Sequence, residues 1–212
     1  MIYSDWKLQL PISNGDDNIK EVSGDKLETY ESEFFRHVAG GFVLTTPCSG
    51  VTTLGSHYPR TELREMHNGV MASWNILIGL HVLDAVIKLI HKPEKISVIF
   101  AQIKATGPFQ ILKLIFKNNT IFASYEMLNG KKRDVPLNLP HFDIYNQFHL
   151  KIEVFYGTIN VFIDGANVLK FKSKRNNVYF KIGNYIQIND PTLKDIPGSE
   201  LYVGCIHLNH KD

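Results

Sequence analysis

Two arginines and two glutamates fall within six residues at Arg60-Thr61-Glu62-Leu63-Arg64-Glu65. In an extended strand, side chains at i, i+2 and i+4 share a face, so Arg60, Glu62 and Arg64 lie on one side and Thr61, Leu63 and Glu65 on the other. A carboxylate between two guanidiniums can orient both and leave donors free for an incoming anion. The same row also fits a solvent-facing sheet edge laced with salt bridges. Two further segments bear on the choice. Alternation over Ile99–Lys104 sends Ile99, Ala101 and Ile103 towards a core and puts Phe100, Gln102 and Lys104 on the other face. An amide and an amine side by side suit either a carboxylate ligand or polar surface. In Tyr179-Phe180-Lys181-Ile182-Gly183-Asn184-Tyr185-Ile186-Gln187, the residues Lys181, Gly183, Tyr185 and Gln187 share a face, with Ile182 and Ile186 opposite. Glycine inside a strand weakens it unless another backbone or a ligand comes close. This face reads as a cleft, or as a bend with a surface tyrosine.

The elements that must hold these residues are almost all β. Ile96–Lys104, Ile111–Lys117, Thr120–Leu128, Phe148–Tyr156, Thr158–Ile163, Val178–Ile188 and Leu201–Leu208 are rich in β-branched and aromatic residues. Trp74–Ile90 is ambiguous but has enough valine and isoleucine for strands. Asn118-Asn119, Asn129-Gly130, Tyr156-Gly157 and Asp164-Gly165 supply turns, and Ile12–Ser23 reads as a surface excursion. The expectation is one all-β domain over residues 1–212, a two-sheet antiparallel β-jelly roll with a concave cleft. A net charge of +2 gives no case for nucleic acid or a membrane surface. No apolar run approaches a membrane span, and the N-terminus lacks a signal-peptide pattern. Two cysteines, Cys48 and Cys205, are too few for a disulfide framework or a zinc site, and whether they pair is left open.

Taken together, Arg60–Glu65, Gln102–Lys104 and Tyr179–Gln187 resemble the alginate lyases of polysaccharide lyase family 7. That family carries R-[S/T]-E-L-R-E, Q-[I/V]-H and Y-F-K-x-G-x-Y-x-Q in this order. Trp6–Pro11 and Gly50–Tyr58 are also similar to it, so the resemblance runs through nearly the whole chain. One departure matters: the middle motif ends in histidine, and this chain has Lys104.

The resemblance implies a β-elimination that cuts a uronic-acid-containing polysaccharide, either alginate or a glucuronate polymer. The substrate carboxylate must be neutralised, a base must take the neighbouring proton, and an acid must protonate the departing oxygen. Residue by residue, Arg60 and Gln102 match carboxylate-binding positions and Tyr185 the catalytic tyrosine. Lys104 occupies the histidine's place, as a cation or as the base. Glu62, Arg64, Lys181 and Gln187 are expected to bind or brace substrate. Cations beside a phenol favour its ionised form, so Arg60 and Lys104 would ready Tyr185. His57 lies at an odd offset from Arg60, which argues against it as a substitute base. Glu62 and Glu65 lie on opposite faces, which argues against a hydrolase pair. No metal or cofactor is required, no metal spacing is present, and a monomer acting outside the cell is expected. The alternative is a carbohydrate-binding protein that keeps the cleft without turnover.

Overall fold

In the computed structural model, residues 3–16 and 18–211 are described. Met1, Ile2, Asp17 and Asp212 lie outside them, and Asp17 belonged to the expected surface excursion. Two antiparallel sheets make up the structure. The larger contains β1 (Trp6–Ser13), β2 (Ile19–Ser23), β5 (Arg60–His67), β8 (Val98–Ala105), β9 (Gln110–Lys117), β10 (Thr120–Glu126), β11 (Lys132–Pro136) and β15 (Val178–Ile186). Their order across the sheet is β11-β10-β9-β8-β15-β5-β1-β2, with β6 (Val70–Met71) attached to β5. The smaller contains β3 (Phe35–Val38), β4 (Gly41–Thr46), β7 (Leu80–His91), β12 (Phe148–Phe155), β13 (Thr158–Ile163), β14 (Ala166–Lys172) and β16 (Ser199–Lys211), in the order β14-β13-β12-β7-β16-β4-β3. This is the jelly-roll sandwich expected from the strand pattern. Among the described residues, no helix is long and apolar enough to cross a membrane.

Period-two patterning drives the packing. Leu8, Leu63, Ile103, Phe180 and Ile182 of the larger sheet meet Leu44, Leu83, Ala85, Ile87, Leu150, Ile152 and Val203 of the smaller in one core. The Asp164-Gly165 turn joins β13 to β14 with φ of 49° and 81°, the two positive angles that a tight hairpin needs. Two readings need correction. The stretch Ile12–Ser23 is not a plain excursion, because Ile19–Ser23 forms β2 against β1. Alternation also breaks at Phe100. Ile99 pairs with Ile115 and Ala101 with Leu114, which leaves Phe100 as an extra residue, a β-bulge. Phe100 therefore joins the core, stacked on Phe116 at 4.2 Å, and Ile99 sits across from Tyr185. Gln102 and Lys104 keep their outward face.

Beneath the motif strands, buried polar groups tie the two sheets together. Asn184 donates Nδ2 to the carbonyls of Leu44 at 2.8 Å and Ser199 at 2.7 Å, and accepts from Ser199 Oγ at 2.6 Å. Thr61 Oγ1 donates to the Thr45 carbonyl at 2.6 Å. At the end of β5, Glu65 accepts from Trp74 Nε1 at 3.0 Å and Phe180 N at 2.6 Å, and pairs with His210 Nε2 at 2.9 Å. His210 Nδ1 lies 2.7 Å from His81 Nδ1, and His81 Nε2 lies 2.7 Å from the Ile78 carbonyl. Since a carbonyl only accepts, His81 carries its proton on Nε2. Cys48 and Cys205 are both free thiols.

Candidate active site

The motif residues sit outside the inter-sheet core yet are sunk from solvent. Arg60 is 6% exposed, Glu62 0%, Gln102 2%, Lys181 3% and Tyr185 7%, so this face is recessed. Strand order explains the meeting: β15 lies between β5 and β8, which sets Tyr185 opposite Arg60, Gly183 opposite Glu62, and Lys181 between Arg64 and Gln102. Gly183 is what allows the close fit. Its φ is 151°, and a Cβ there would lie 2.6 Å from Glu62 Cα and 2.7 Å from the Thr61 carbonyl oxygen. The gap read from the sequence is thus filled by neighbouring backbone.

Glu62 is the hub. Its carboxylate accepts from Arg60 Nη1 at 3.3 Å, pairs closely with Lys181 Nζ, and takes a short hydrogen bond from Gln102 Nε2. Burial pushes the Glu62 carboxyl up, but the Lys181 ammonium, the Arg60 guanidinium and the hydrogen bonds from Lys181 and Gln102 outweigh it and hold the group below its ordinary range. Burial brings the Lys181 ammonium down to about 7, with Glu62 pulling upward and Arg60 and Lys104 pushing further down. Lys181 also donates to Gln9 Oε1 at 2.8 Å, and Gln9 Nε2 donates to Glu21 at 2.9 Å. Lys7 holds the same glutamate at 2.7 Å. One polar network therefore crosses from the edge hairpin to the motif.

Arg60 joins that network to the phenol. Its guanidinium carbon lies 3.8 Å from the Tyr185 ring centroid, and its Nη2 donates to Ser56 Oγ at 2.5 Å. Ser56 Oγ in turn lies 3.1 Å from Tyr185 Oη and 3.3 Å from the Tyr58 carbonyl, to which it can donate. The single Ser56 proton thus has two acceptors within reach.

Other expected residues are placed differently. Arg64 does not share Glu62: Lys181, arriving on β15, joins Arg60 on that carboxylate instead. The Arg64 guanidinium instead lies 4.0 Å from the Tyr179 ring centroid. The Nε groups of Arg60 and Arg64 are both buried without a partner. Lys181 is a brace under the floor, tied up by Glu62 and Gln9. Gln187 lies past the end of β15, with its amide turned back onto the carbonyls of Tyr185 and Ile186, both at 3.3 Å. Lys104 faces Tyr179, whereas Tyr185 faces Ile99. At roughly 3.3 Å per residue, that separates their backbones by on the order of 15 Å along the sheet. Arg60, not Lys104, is the cation at the phenol. Burial, reinforced by Arg60 and Arg64 against Glu62, lowers the Lys104 ammonium.

Sequence reasoning missed Ser56, Gln9 and Glu21. Gln9 was visible as the polar step between Leu8 and Leu10. Ser56 lies in a loop, where no periodicity points to it.

A recessed, cation-rich floor on the outer face of a jelly-roll sheet, with a tyrosine and an arginine in contact, is the architecture of a polysaccharide lyase, a carbon–oxygen lyase. A family model described as alginate lyase matches residues 2–208, and the chain belongs to that family. Among solved structures, alginate lyase AlgAT5 from polysaccharide lyase family 7 is 29% identical, with a TM-score of 0.84, covering 99% of this chain and 95% of its own. The alginate lyase from Corynebacterium sp. is 26% identical, with a TM-score of 0.86 and coverage of 98% and 95%. Alginate lyase A1-II′, a family-7 member also solved in complex with substrate (GGMG), is 26% identical, with a TM-score of 0.86 and coverage of 99% and 96%. No curated protein matches the chain.

Proposed function

We propose that this lyase cuts a uronate polymer by β-elimination, with Tyr185 as both base and acid. The observation that carries the reading is the Arg60–Ser56–Tyr185 contact set beside Gln102 on the recessed floor. A substrate carboxylate resting on Arg60 and the second amide N–H of Gln102 spreads the charge that builds up when the neighbouring carbon loses its proton. The Tyr185 phenolate takes that proton, and the electron pair becomes a carbon–carbon double bond as the glycosidic C–O bond breaks. The phenol then returns the proton to the departing oxygen. This economy suits sugars in which both groups lie on one side. Ser56 supports the phenolate by turning its hydroxyl from the Tyr58 carbonyl to Tyr185 Oη, while Arg60 lies over the ring. Lys104 stands further along the cleft as a cation for the polymer.

Alginate is the first substrate to try, given what the related enzymes are, and glucuronan the second, because Lys104 replaces the family's histidine. The test is ultraviolet absorbance of the unsaturated product on a panel of uronate polymers, with wild type and Tyr185→Phe. Product from wild type and loss of about a thousandfold in kcat for the variant are expected, on the scale of a general acid–base group. Near-normal turnover by Tyr185→Phe would end the tyrosine mechanism. A competing assignment makes Lys104 the base, since its ammonium is depressed and has no acidic partner among the described residues. Under it, Lys104→His would strongly shift preference between epimeric uronates. Binding without product on any polymer would favour the lectin-like alternative.

A further inference from the structure

Lys113 lies on β9 directly across from Gln102 of β8, with Ser124 of β10 on its other side. Its outward neighbours are the cleft residues, while Leu112 and Leu114 on either side of it are in the core. Lys7, Lys151 and Lys181 each have an acid partner; among the described residues, Lys113 has none. Its half-buried ammonium is brought down to about 8 by burial and by Lys132, Arg60 and Lys104, against a pull from Glu62. Glu62 cannot serve as its counterion, because three other side chains already occupy that carboxylate.

A lysine placed so only costs the fold stability, since it is partly desolvated and faces other cations. An anion arriving from outside would reverse the sign. We propose that Lys113 holds a second carboxylate of the polymer, one sugar along from the carboxylate at Arg60 and Gln102. This rests on the uronate-lyase reading and says how the chain lies: across the strands rather than along them. In register, Arg64, Lys181, Gln102 and Lys113 form a row over β5, β15, β8 and β9. Neighbouring strands are about 4.8 Å apart, so this row is roughly 14 Å long. Every residue of a polyuronate carries a carboxylate, and a 1,4-linked sugar is about as long as one strand spacing. A chain lying along the row therefore meets Gln102 and then Lys113 with successive acids.

The experiment compares wild type, Lys113→Met and Lys113→Arg on a cleavable uronate polymer at low and high salt. Lys113→Met should raise KM about tenfold, the scale of one charge-assisted hydrogen bond, with a much smaller effect on kcat. The difference should shrink at ~0.5 M salt, where exposed charges are screened. Lys113→Arg should recover most of the affinity, and Lys113→Met should melt no lower than wild type. An unchanged KM in Lys113→Met, with wild type active, overturns the inference and leaves the lyase reading standing. If wild type cleaves no polymer, that reading fails on its own. Equilibrium binding of the intact polymer then decides the inference: equal affinity of wild type and Lys113→Met overturns it, and a tenfold loss supports it.

Discussion

Replacing Glu62 by glutamine should sharply destabilise this protein. The substitution keeps shape and removes charge. It strands Arg60 and Lys181 beside each other with no counterion, in a position fully shielded from water. Breaking a buried pair by deleting one partner costs about 3–5 kcal/mol, because the remaining charge is left uncompensated. For a chain of this size, about 4 kcal/mol lowers the melting temperature by roughly 8–16 °C. Calorimetry or circular dichroism on Glu62→Gln reads this directly, and turnover should fall as well, since Arg60 and Gln102 lose their anchor. The double variant Glu62→Gln/Lys181→Met makes the test sharper. Removing the stranded ammonium should restore part of the lost stability, so the two changes are strongly non-additive. A Glu62→Gln protein that melts within a degree or two of wild type would refute the hub. So would additive losses in the double variant.

Other consequences can be measured as readily. Ser56→Ala should lower kcat roughly tenfold with little change in KM, the scale of one lost hydrogen bond to a charged group. A Ser56→Ala enzyme with wild-type kcat would remove Ser56 from the mechanism. Gly183→Ala should fail to fold or lose about 3 kcal/mol or more by thermal melting, since its Cβ would collide with β5 backbone at a positive φ. Asn184→Ala should lose about 3 kcal/mol, because the Leu44 and Ser199 carbonyls lose their shared donor. Burial, more than the opposing Ile78 carbonyl, lowers His81 below its ordinary value, with His210 adding to the fall. The unfolded chain therefore takes up a proton near pH ~6.5 that the fold resists, and stability should drop as pH falls through that region. His81→Gln should flatten that part of the melting-temperature curve.

Much of this was legible in the sequence, and what was not has a common cause. Alternation along Val178–Ile186 correctly separated Lys181, Gly183 and Tyr185 from Ile182 and Ile186, and Asp164-Gly165 marked its hairpin. Such local signals need only a strand's own period. The partner of Glu62 was misjudged because Arg64 is near in sequence, whereas Lys181 reaches it only once β15 has docked on β5. The bulge at Phe100 depends on counting residues on two neighbouring strands at once. Short polar strands such as β2 and β11 carry too little apolar pattern to stand out from loops.

The order of strands in the larger sheet has a further consequence, for folding. Residues 9, 62, 102 and 185 become neighbours only when β1, β5, β8 and β15 lie side by side, though they are scattered across most of the chain. Contacts between distant segments form slowly, because long loops must close before anything rewards them. Insertion of the late-made β15 between β5 and β8 joins the N-terminal part of the sheet to the part made in mid-chain. Recovered activity in a refolding experiment should therefore lag behind recovered β-sheet signal, which makes turnover a clock for the last strand to find its place.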